Sequence, residues 1–206
     1  MDNIGNLFES LNKKGGKHKF ARVPILIASN WIFQGIFYMD RTERAFRIFV
    51  ELILISLVGV LLSFVLNLAV TFLFAILLIH TMNWMLNGQF FALFKKFGWV
   101  HTRKEDFEIF CKLISRNAMR KVSLDSVLAY GSLTRASLDV TSDIDIRIIR
   151  KKGSANAISA CIFVMQLRII AFVKKFPLDI YVFDDIESLR RMKENVPVKL
   201  YENVQG

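Results

Sequence analysis

Residues 129–146 read AYGSLTRASLDVTSDIDI, a short apolar strand that runs into a glycine-serine turn and is followed by two aspartates in a second apolar strand. Gly131 and Ser132 can form the tight turn and the close backbone approach that a bound phosphate requires. Asp143 and Asp145 stand two residues apart in a strand, so their side chains project from the same face. Two carboxylates on one face repel each other unless a cation lies between them. The pattern therefore predicts a metal-dependent phosphate site.

A third acidic residue, Asp179, interrupts the apolar run 177–183, which is predicted to be a strand. If this strand pairs beside the strand that carries Asp143 and Asp145, the three carboxylates come together. Oxygen ligands next to a phosphate-binding turn favour Mg²⁺, which prefers one or two carboxylates together with phosphate oxygens of a substrate. We therefore expect magnesium at this site.

The order of these elements resembles the motifs of the polymerase-beta-type nucleotidyltransferase superfamily. The matching elements are Gly131-Ser132, a spacer of ten residues, Asp143-Ile144-Asp145 and a lone Asp179 on a later strand. The resemblance covers residues 105–195, about half of the chain. It implies a mixed-sheet α/β domain that transfers a nucleoside monophosphate from a nucleoside triphosphate to an acceptor and releases pyrophosphate.

The resemblance also implies a role for each residue of the motifs. Gly131 and Ser132 would hold the triphosphate, and Asp143 and Asp145 would hold two Mg²⁺ ions. Asp179 would bind the catalytic metal and help to deprotonate the acceptor hydroxyl. The three aspartates are thus both the expected metal ligands and the expected catalytic residues.

Two further positions match residues that members of the superfamily often carry near the triphosphate. Arg135 stands three residues after the serine of the turn, and Ser142 precedes the first aspartate. In one respect the chain departs from the pattern, because many members follow that arginine with glycine and this chain has Ala136 and Ser137. The departure affects the expected geometry of the nucleotide-binding turn.

Other interpretations of the same residues remain open. Arg147 shares the face of the aspartates and could pair with Asp143 or Asp145, which would leave them unavailable to a metal. In that case the chain would be a catalytically weak regulatory or binding partner that retains the fold. A nucleic-acid substrate is not expected, because the basic residues of the C-terminal part are scattered among acids without interleaved exposed aromatics.

An apolar run in the N-terminal half predicts membrane insertion. Residues 48–79 are 32 residues that contain one charge, Glu51, and one amide, Asn67. A single helix of that length would be about 48 Å long, against a hydrocarbon core of ~30 Å. Two spans at 45–65 and 69–89, with a turn near Asn67, fit better, and one tilted helix is the alternative.

The distribution of charge predicts the orientation of this hairpin. Residues 1–47 carry 8 Lys/Arg and 4 Asp/Glu, residues 48–91 carry only Glu51, and residues 92–206 carry 20 Lys/Arg and 13 Asp/Glu. By the positive-inside rule, basic segments on both sides place both ends in the cytoplasm, where nucleoside triphosphates and Mg²⁺ are. The acceptor is then expected at the membrane, as a lipid-linked glycan, a lipid or a protein.

This division predicts three regions: 1–44, a basic linker (12–22) and an interfacial helix (24–39); 45–100, the hairpin and an interfacial segment; and 101–206, the nucleotidyltransferase domain. His80, Asn83 and Asn87 recur at helical spacing near the end of the hairpin. They are interpreted either as interhelical hydrogen-bonding groups or as a grip on a headgroup, an acceptor or a partner helix.

Three expectations concern the C-terminal domain outside its motifs. The predicted helix 155–174 is apolar nearly all round, so it should touch the sheet and one further surface, a partner subunit or the membrane. Residues 195–206 are expected to form a loosely held tail. Cys111 and Cys161 are expected to be buried thiols, without a disulfide or zinc.

Overall fold

The structure is a computed structural model that describes residues 19–87, 90–91, 103–131, 144–190 and 197–203. The chain divides into two compact units, residues 1–34 and residues 35–206. In the first unit, helix α1 spans Lys19–Phe33 and contains Pro24. The helix begins inside the segment 12–22, and the rest of the predicted linker, residues 12–18, lies outside the described residues. Pro24 lies in the second turn of α1, and proline near a helix start is tolerated better than in the interior.

The second unit begins with two long apolar helices, α2 (Arg41–Ser63) and α3 (Leu68–Leu86). The predicted turn near Asn67 is confirmed, because the side chain of Asn67 caps α3 by accepting a hydrogen bond from the Val70 amide at 3.2 Å. An asparagine at this position satisfies an amide that has no partner inside the helix. The apolar run therefore forms two helices joined by a turn, a helical hairpin, and not one continuous helix.

A polar cluster connects the two helices of the hairpin. Glu51 on α2 contacts His80 Nδ1 on α3 at 2.6 Å through Oε1, and its Oε2 accepts a hydrogen bond from Asn83 Nδ2 at 2.8 Å. Asn87 donates to Asn83 Oδ1 at 2.7 Å along α3. Polar groups between apolar helices are costly unless they are partnered, and here they are partnered across the helix interface. The interpretation as interhelical hydrogen-bonding groups is confirmed for His80 and Asn83, whereas the bond of Asn87 lies within α3.

The remaining elements form a mixed α/β layer. They are α4 (Lys104–Ala118), β1 (Leu124–Tyr130), β2 (Ile144–Arg150), α5 (Ser154–Val173), β3 (Leu178–Phe183), α6 (Ile186–Arg190) and β4 (Val198–Glu202). The four strands lie in the order β3-β2-β1-β4. β1 is antiparallel to both β2 and β4, whereas β2 and β3 are parallel. The predicted mixed-sheet α/β class is confirmed.

The two faces of the sheet differ in what covers them. On β2, the isoleucines at 144, 146 and 148 pack into the main core with residues from α4 and α5. Because strand side chains alternate, Asp145 and Arg147 lie on the opposite face. A smaller apolar cluster occupies that second face and includes Tyr130, Ile149 and Tyr181. The acidic face of β2 is therefore the one away from α4 and α5.

The prediction of a loose tail at 195–206 was wrong for residues 198–202, which form strand β4 and pair with β1, whereas residues 195–196 and 204–206 lie outside the described residues. Leu200 packs against the main core, and its carbonyl accepts a hydrogen bond from Ser115 Oγ on α4 at 2.8 Å. Lys199 and Glu202 are exposed and pair with each other at 2.7 Å. The strand is only five residues long and half exposed, so its alternation is a weak signal in the sequence.

The start of α2 is built into the edge of the sheet. β3 is an edge strand, and Glu43 Oε2 on α2 accepts a hydrogen bond from the Val182 amide at 2.6 Å. The other oxygen of Glu43 pairs with Arg168 on α5 at 2.7 Å, and Arg168 also donates to the Ile180 carbonyl. Glu43 is 1% and Arg168 5% exposed. Asp40 adds a bond to the Asp184 amide at 3.1 Å. An exposed strand edge invites pairing with another chain, and this helix covers it.

Three helices among the described residues are long and apolar enough to cross a membrane: α2, α3 and α5. The sequence predicted the first two. The third, α5, has a mean hydropathy of 1.8, equal to that of α3, yet seven of its residues are buried and it packs against the sheet. The apolar residues on one side of α5 are therefore part of the main core.

Candidate functional site

The register of β2 and β3 brings two of the predicted acidic residues together. Asp145 and Asp179 are direct partners in this parallel pair, and both are partly exposed. Since neighbouring strands lie ~4.7–4.9 Å apart and partner residues point to the same side, the two carboxylates share one face of the sheet. β3, which carries Asp179, therefore lies beside β2, which carries Asp145, as the predicted site requires.

The glycine of the predicted phosphate turn lies against one of these carboxylates. Gly131 directly follows Tyr130, which is the antiparallel partner of Asp145. Its φ is +75°, a backbone conformation that side chains disfavour, and a Cβ built there would lie 2.2 Å from Asp145 Oδ2. Any other residue would require Asp145 or the main chain to shift, and the small size of Gly131 allows the main chain after β1 to approach the carboxylate.

The other predicted residues of the site, Ser132, Arg135, Ser142 and Asp143, lie outside the described residues. Among the residues that the structure does describe, no group of three or more His, Cys, Asp or Glu could hold a metal ion. The three-aspartate magnesium site therefore stays a prediction. The two aspartates that are described fit it, because adjacent carboxylate oxygens are the donors that a hard cation such as Mg²⁺ prefers.

Arg147 forms an ion pair with the third aspartate. Its Nη2 donates to Asp179 Oδ2 at 3.1 Å and its Nη1 to the Asp179 carbonyl at 3.3 Å, and the side chain is only 5% exposed. The sequence interpretation placed Arg147 on this face but named only Asp143 and Asp145 as its partners. Arg147 is in register with Tyr181, two residues beyond Asp179, so its long side chain reaches back diagonally. A guanidinium therefore belongs to the candidate site.

Tyr181 connects the site to the buried ion pair at the sheet edge. Its ring lies 5.2 Å from the Arg147 guanidinium and 5.7 Å from that of Arg168, distances typical of cation–π contacts. Burial, and next the negative charge of Asp179, raise the pKa of the Tyr181 phenol. A neutral phenol thus lies between two guanidinium groups, and each of those pairs with a carboxylate.

Glu43 and Arg168 were missed when the sequence was interpreted, although one signal for them existed. Arg168 is the only charged residue of α5, which is otherwise apolar or neutral. A lone charge in such a helix is rarely buried without a partner. The partner could not be identified from the sequence, because Glu43 precedes Arg168 by 125 residues.

The two cysteines are free thiols, with Cys161 buried and Cys111 half-buried. Burial, and next the charge of Glu108, raise the pKa of Cys111 to about 11. A thiol with such a pKa is a poor nucleophile near neutral pH, because the thiolate is the reactive form. The expectation of a buried thiol holds for Cys161, whereas Cys111 is only partly covered.

The described site thus contains two adjacent carboxylates, a guanidinium paired with one of them, and a glycine turn against the other. Such a face can bind a divalent cation together with an anion brought in by the turn. These contacts determine which ligands the described part of the site can bind. No protein-family model matches this chain, and no curated protein matches it either.

Proposed function

We propose that this protein is a membrane-anchored nucleotidyltransferase. It transfers a nucleoside monophosphate from a nucleoside triphosphate to an acceptor hydroxyl or phosphate and releases pyrophosphate. The observation that carries the proposal is the contact set at the start of β2, where the Gly131 turn lies against Asp145 and Asp145 is in register with Asp179. The resemblance of the motifs supports the same chemistry.

In the proposed reaction, an oxygen of the acceptor attacks the α-phosphorus, and the bond to the bridging oxygen of pyrophosphate breaks. Asp143, Asp145 and Asp179 would hold magnesium, which stabilises the charge on the attacking and leaving oxygens when bound. Asp179 accepts the proton of an acceptor hydroxyl. Arg147 orients the Asp179 carboxylate through the 3.1 Å contact.

The remaining residues of the motif would bind the triphosphate. Gly131 permits the main chain to approach the phosphates, and Ser132, Arg135 and Ser142 would donate hydrogen bonds to them. Ser132, Arg135 and Ser142 are assigned on the resemblance. In this arrangement the turn binds the substrate and the aspartates act on it.

The membrane part of the proposal is a hairpin of two spans with both ends in the cytoplasm. It is supported by the length and hydropathy of α2 and α3 and by the basic residues on both sides of the apolar run. The acceptor would be membrane-associated, as a lipid-linked glycan, a lipid or a protein. Nucleic acid is not the proposed acceptor.

The experiment is to incubate membranes that contain the protein with each of four labelled triphosphates and Mg²⁺. Label is expected in lipid, glycan or protein, and Asp145→Asn is expected to lower transfer at least ~100-fold because a metal ligand loses its charge. Asp125→Asn is the matched control, since Asp125 is exposed at the other end of β1 from Gly131. Full transfer by Asp145→Asn would refute the assignment of the site.

The ion pair between Arg147 and Asp179 favours a second candidate function, a regulatory partner that retains the fold and binds nucleotide without turnover. In that case Asp179 is paired with the guanidinium of Arg147 and is not available to a metal ion. Purified protein would then bind a triphosphate and release no pyrophosphate when plausible acceptors are supplied. Arg147→Met tests the role of the guanidinium: an enzyme in which Arg147 orients Asp179 should release less pyrophosphate, whereas a regulator should release none with or without the change.

A further inference from the structure

The side of α5 that faces away from the sheet carries a row of exposed apolar residues, which the exposed Gln166 borders. We define the α5 outer stripe by five exposed residues: Ile158, Ile162, Met165, Ile169 and Val173. Their spacing of four, three, four and four residues places them along one side of a helix, over about 23 Å. The stripe contains no charged residue. An apolar surface of this length on a water-soluble domain usually marks a binding surface.

The stripe is continuous with the apolar surface of the hairpin. Met165 belongs to the stripe and also lines a cavity between α5 and the hairpin, together with Leu54 of α2 and Met82 of α3. Leu54 and Met82 are themselves exposed. The stripe therefore adjoins residues of the two candidate spans. The medium that surrounds the spans near Leu54 and Met82 also contacts α5.

Basic residues lie at both ends of the stripe and along the side that faces away from the hairpin. Lys151 and Lys152 precede α5, and Lys174 and Lys175 follow it. On the side away from the hairpin, Arg120 and Lys121 line a depression together with Ile169 of the stripe. An apolar strip with lysines and arginines at its margins is the pattern of a helix at the boundary between acyl chains and anionic headgroups.

We propose that the α5 outer stripe lies at the boundary between the acyl chains and the headgroups of an anionic lipid bilayer, so that the α/β domain itself, and not only the hairpin, contacts the membrane. The inference rests on the membrane anchoring proposed above. A bilayer explains the apolar stripe, its continuity with the hairpin and its basic margins together. A second copy of the chain would explain the apolar stripe but would bring the basic margins together in a symmetric contact.

The test uses nitroxide spin labels on the full-length protein in nanodiscs that contain phosphatidylglycerol. Labels are placed at Ile162→Cys and Ile169→Cys in a Cys111→Ser, Cys161→Ala background, and collisions with oxygen and with a water-soluble nickel complex are compared. Leu57→Cys on α2 reports the hairpin, and Val198→Cys reports β4, at the opposite sheet edge from β3. All four positions are exposed, so the labels should leave the fold intact, which circular dichroism checks.

The labels at 162 and 169 are expected to collide preferentially with oxygen, as at 57, with a ratio several-fold above that at 198. Reversing the charge of the margin with Lys174→Glu and Lys175→Glu should lower the ratio at 169 and leave 57 unchanged. Preference for nickel at 162 and 169 but not at 57 would overturn this inference alone. Preference for nickel at 57 as well would overturn the membrane anchor. Shielding from both reagents, with spin–spin broadening that disappears on dilution with unlabelled protein, would show a second copy on the stripe and also overturn the inference.

Discussion

At the scale of single residues, Gly131 is the most constrained of the described positions of the candidate site. Its φ of +75° and the 2.2 Å between a built Cβ and Asp145 Oδ2 exclude any side chain without rearrangement. Gly131→Ala is therefore expected to destabilise the fold, with ~1–2 kcal/mol from the backbone conformation alone, and to reduce nucleotidyl transfer strongly by displacing Asp145. Thermal unfolding and transfer measured on the same preparation test both effects.

Gly153 provides the matched control. It also has positive φ, +105°, but a Cβ there would meet only Asn156 Nδ2, at an ordinary 3.8 Å. Gly153→Ala should therefore lower the melting temperature through backbone strain and leave transfer nearly unchanged. Equal loss of transfer in the two variants would mean that the effect of Gly131 comes from general destabilisation and not from its contact with Asp145.

The sequence could predict which face of the sheet Asp145 occupies but not which side chain pairs with Asp179. The placement of Asp145 on the face opposite the isoleucines follows from the two-residue period of a strand. The ion pair between Arg147 and Asp179 did not follow, because it depends on which residue of β3 stands opposite which residue of β2. A pairing register between strands separated by a helix is a property of the folded sheet.

At the scale of elements, the contact of α2 with the edge of β3 depends on one buried carboxylate. Glu43 accepts from the Val182 amide at 2.6 Å and pairs with Arg168 at 2.7 Å. Glu43→Ala would leave the buried guanidinium without this partner, which typically costs about 3–5 kcal/mol. We expect a loss of that size in the free energy of unfolding, measured by denaturant titration in detergent.

Glu108→Ala is the control for this change, since Glu108 is exposed on α4 and the same truncation there should shift stability by less than ~0.5 kcal/mol. If Glu43→Ala unfolds at the same denaturant concentration as the control, the junction does not contribute to stability. Glu43→Gln, which keeps one acceptor oxygen, should fall between the two.

Elements were predicted in proportion to the strength of their patterns. The strand at 178–183 and the hairpin turn at Asn67 are where the sequence placed them, because an apolar run between polar residues and a capping asparagine are strong local signals. Strand β4 was missed, because its pairing with β1 and not its five residues makes it a strand. The membrane-like hydropathy of α5 was visible, but which of its sides meets the sheet was not.

At the scale of the whole molecule, the hairpin is part of the α/β fold and not a tether attached to it. Asp40 and Glu43 hydrogen-bond to amides at the edge of β3. A fragment of residues 101–206 lacks both. We expect this fragment to aggregate or to lose protection of the Val182 amide against hydrogen exchange, whereas a fragment of residues 35–206 in detergent keeps it.

Size-exclusion chromatography and hydrogen exchange on the two fragments provide the measurement. A monodisperse 101–206 fragment with the same slow exchange at Val182 would contradict the expectation and show that the strand edge is stable by itself. The division of the chain at residue 35 supports the choice of the longer fragment, since residues 35–206 form one compact unit.

The position of Glu43 in the sequence determines when its buried contacts can form during synthesis. Glu43 leaves the ribosome well before Arg168 and Val182, because synthesis proceeds from the N-terminus. Between those moments Glu43 has neither the basic group nor the backbone amide that enclose it in the folded protein. The strand that bears Asp179 is thus completed next to a helix whose residues were synthesised earlier, so the acidic face of the sheet is assembled only after α2 has been made.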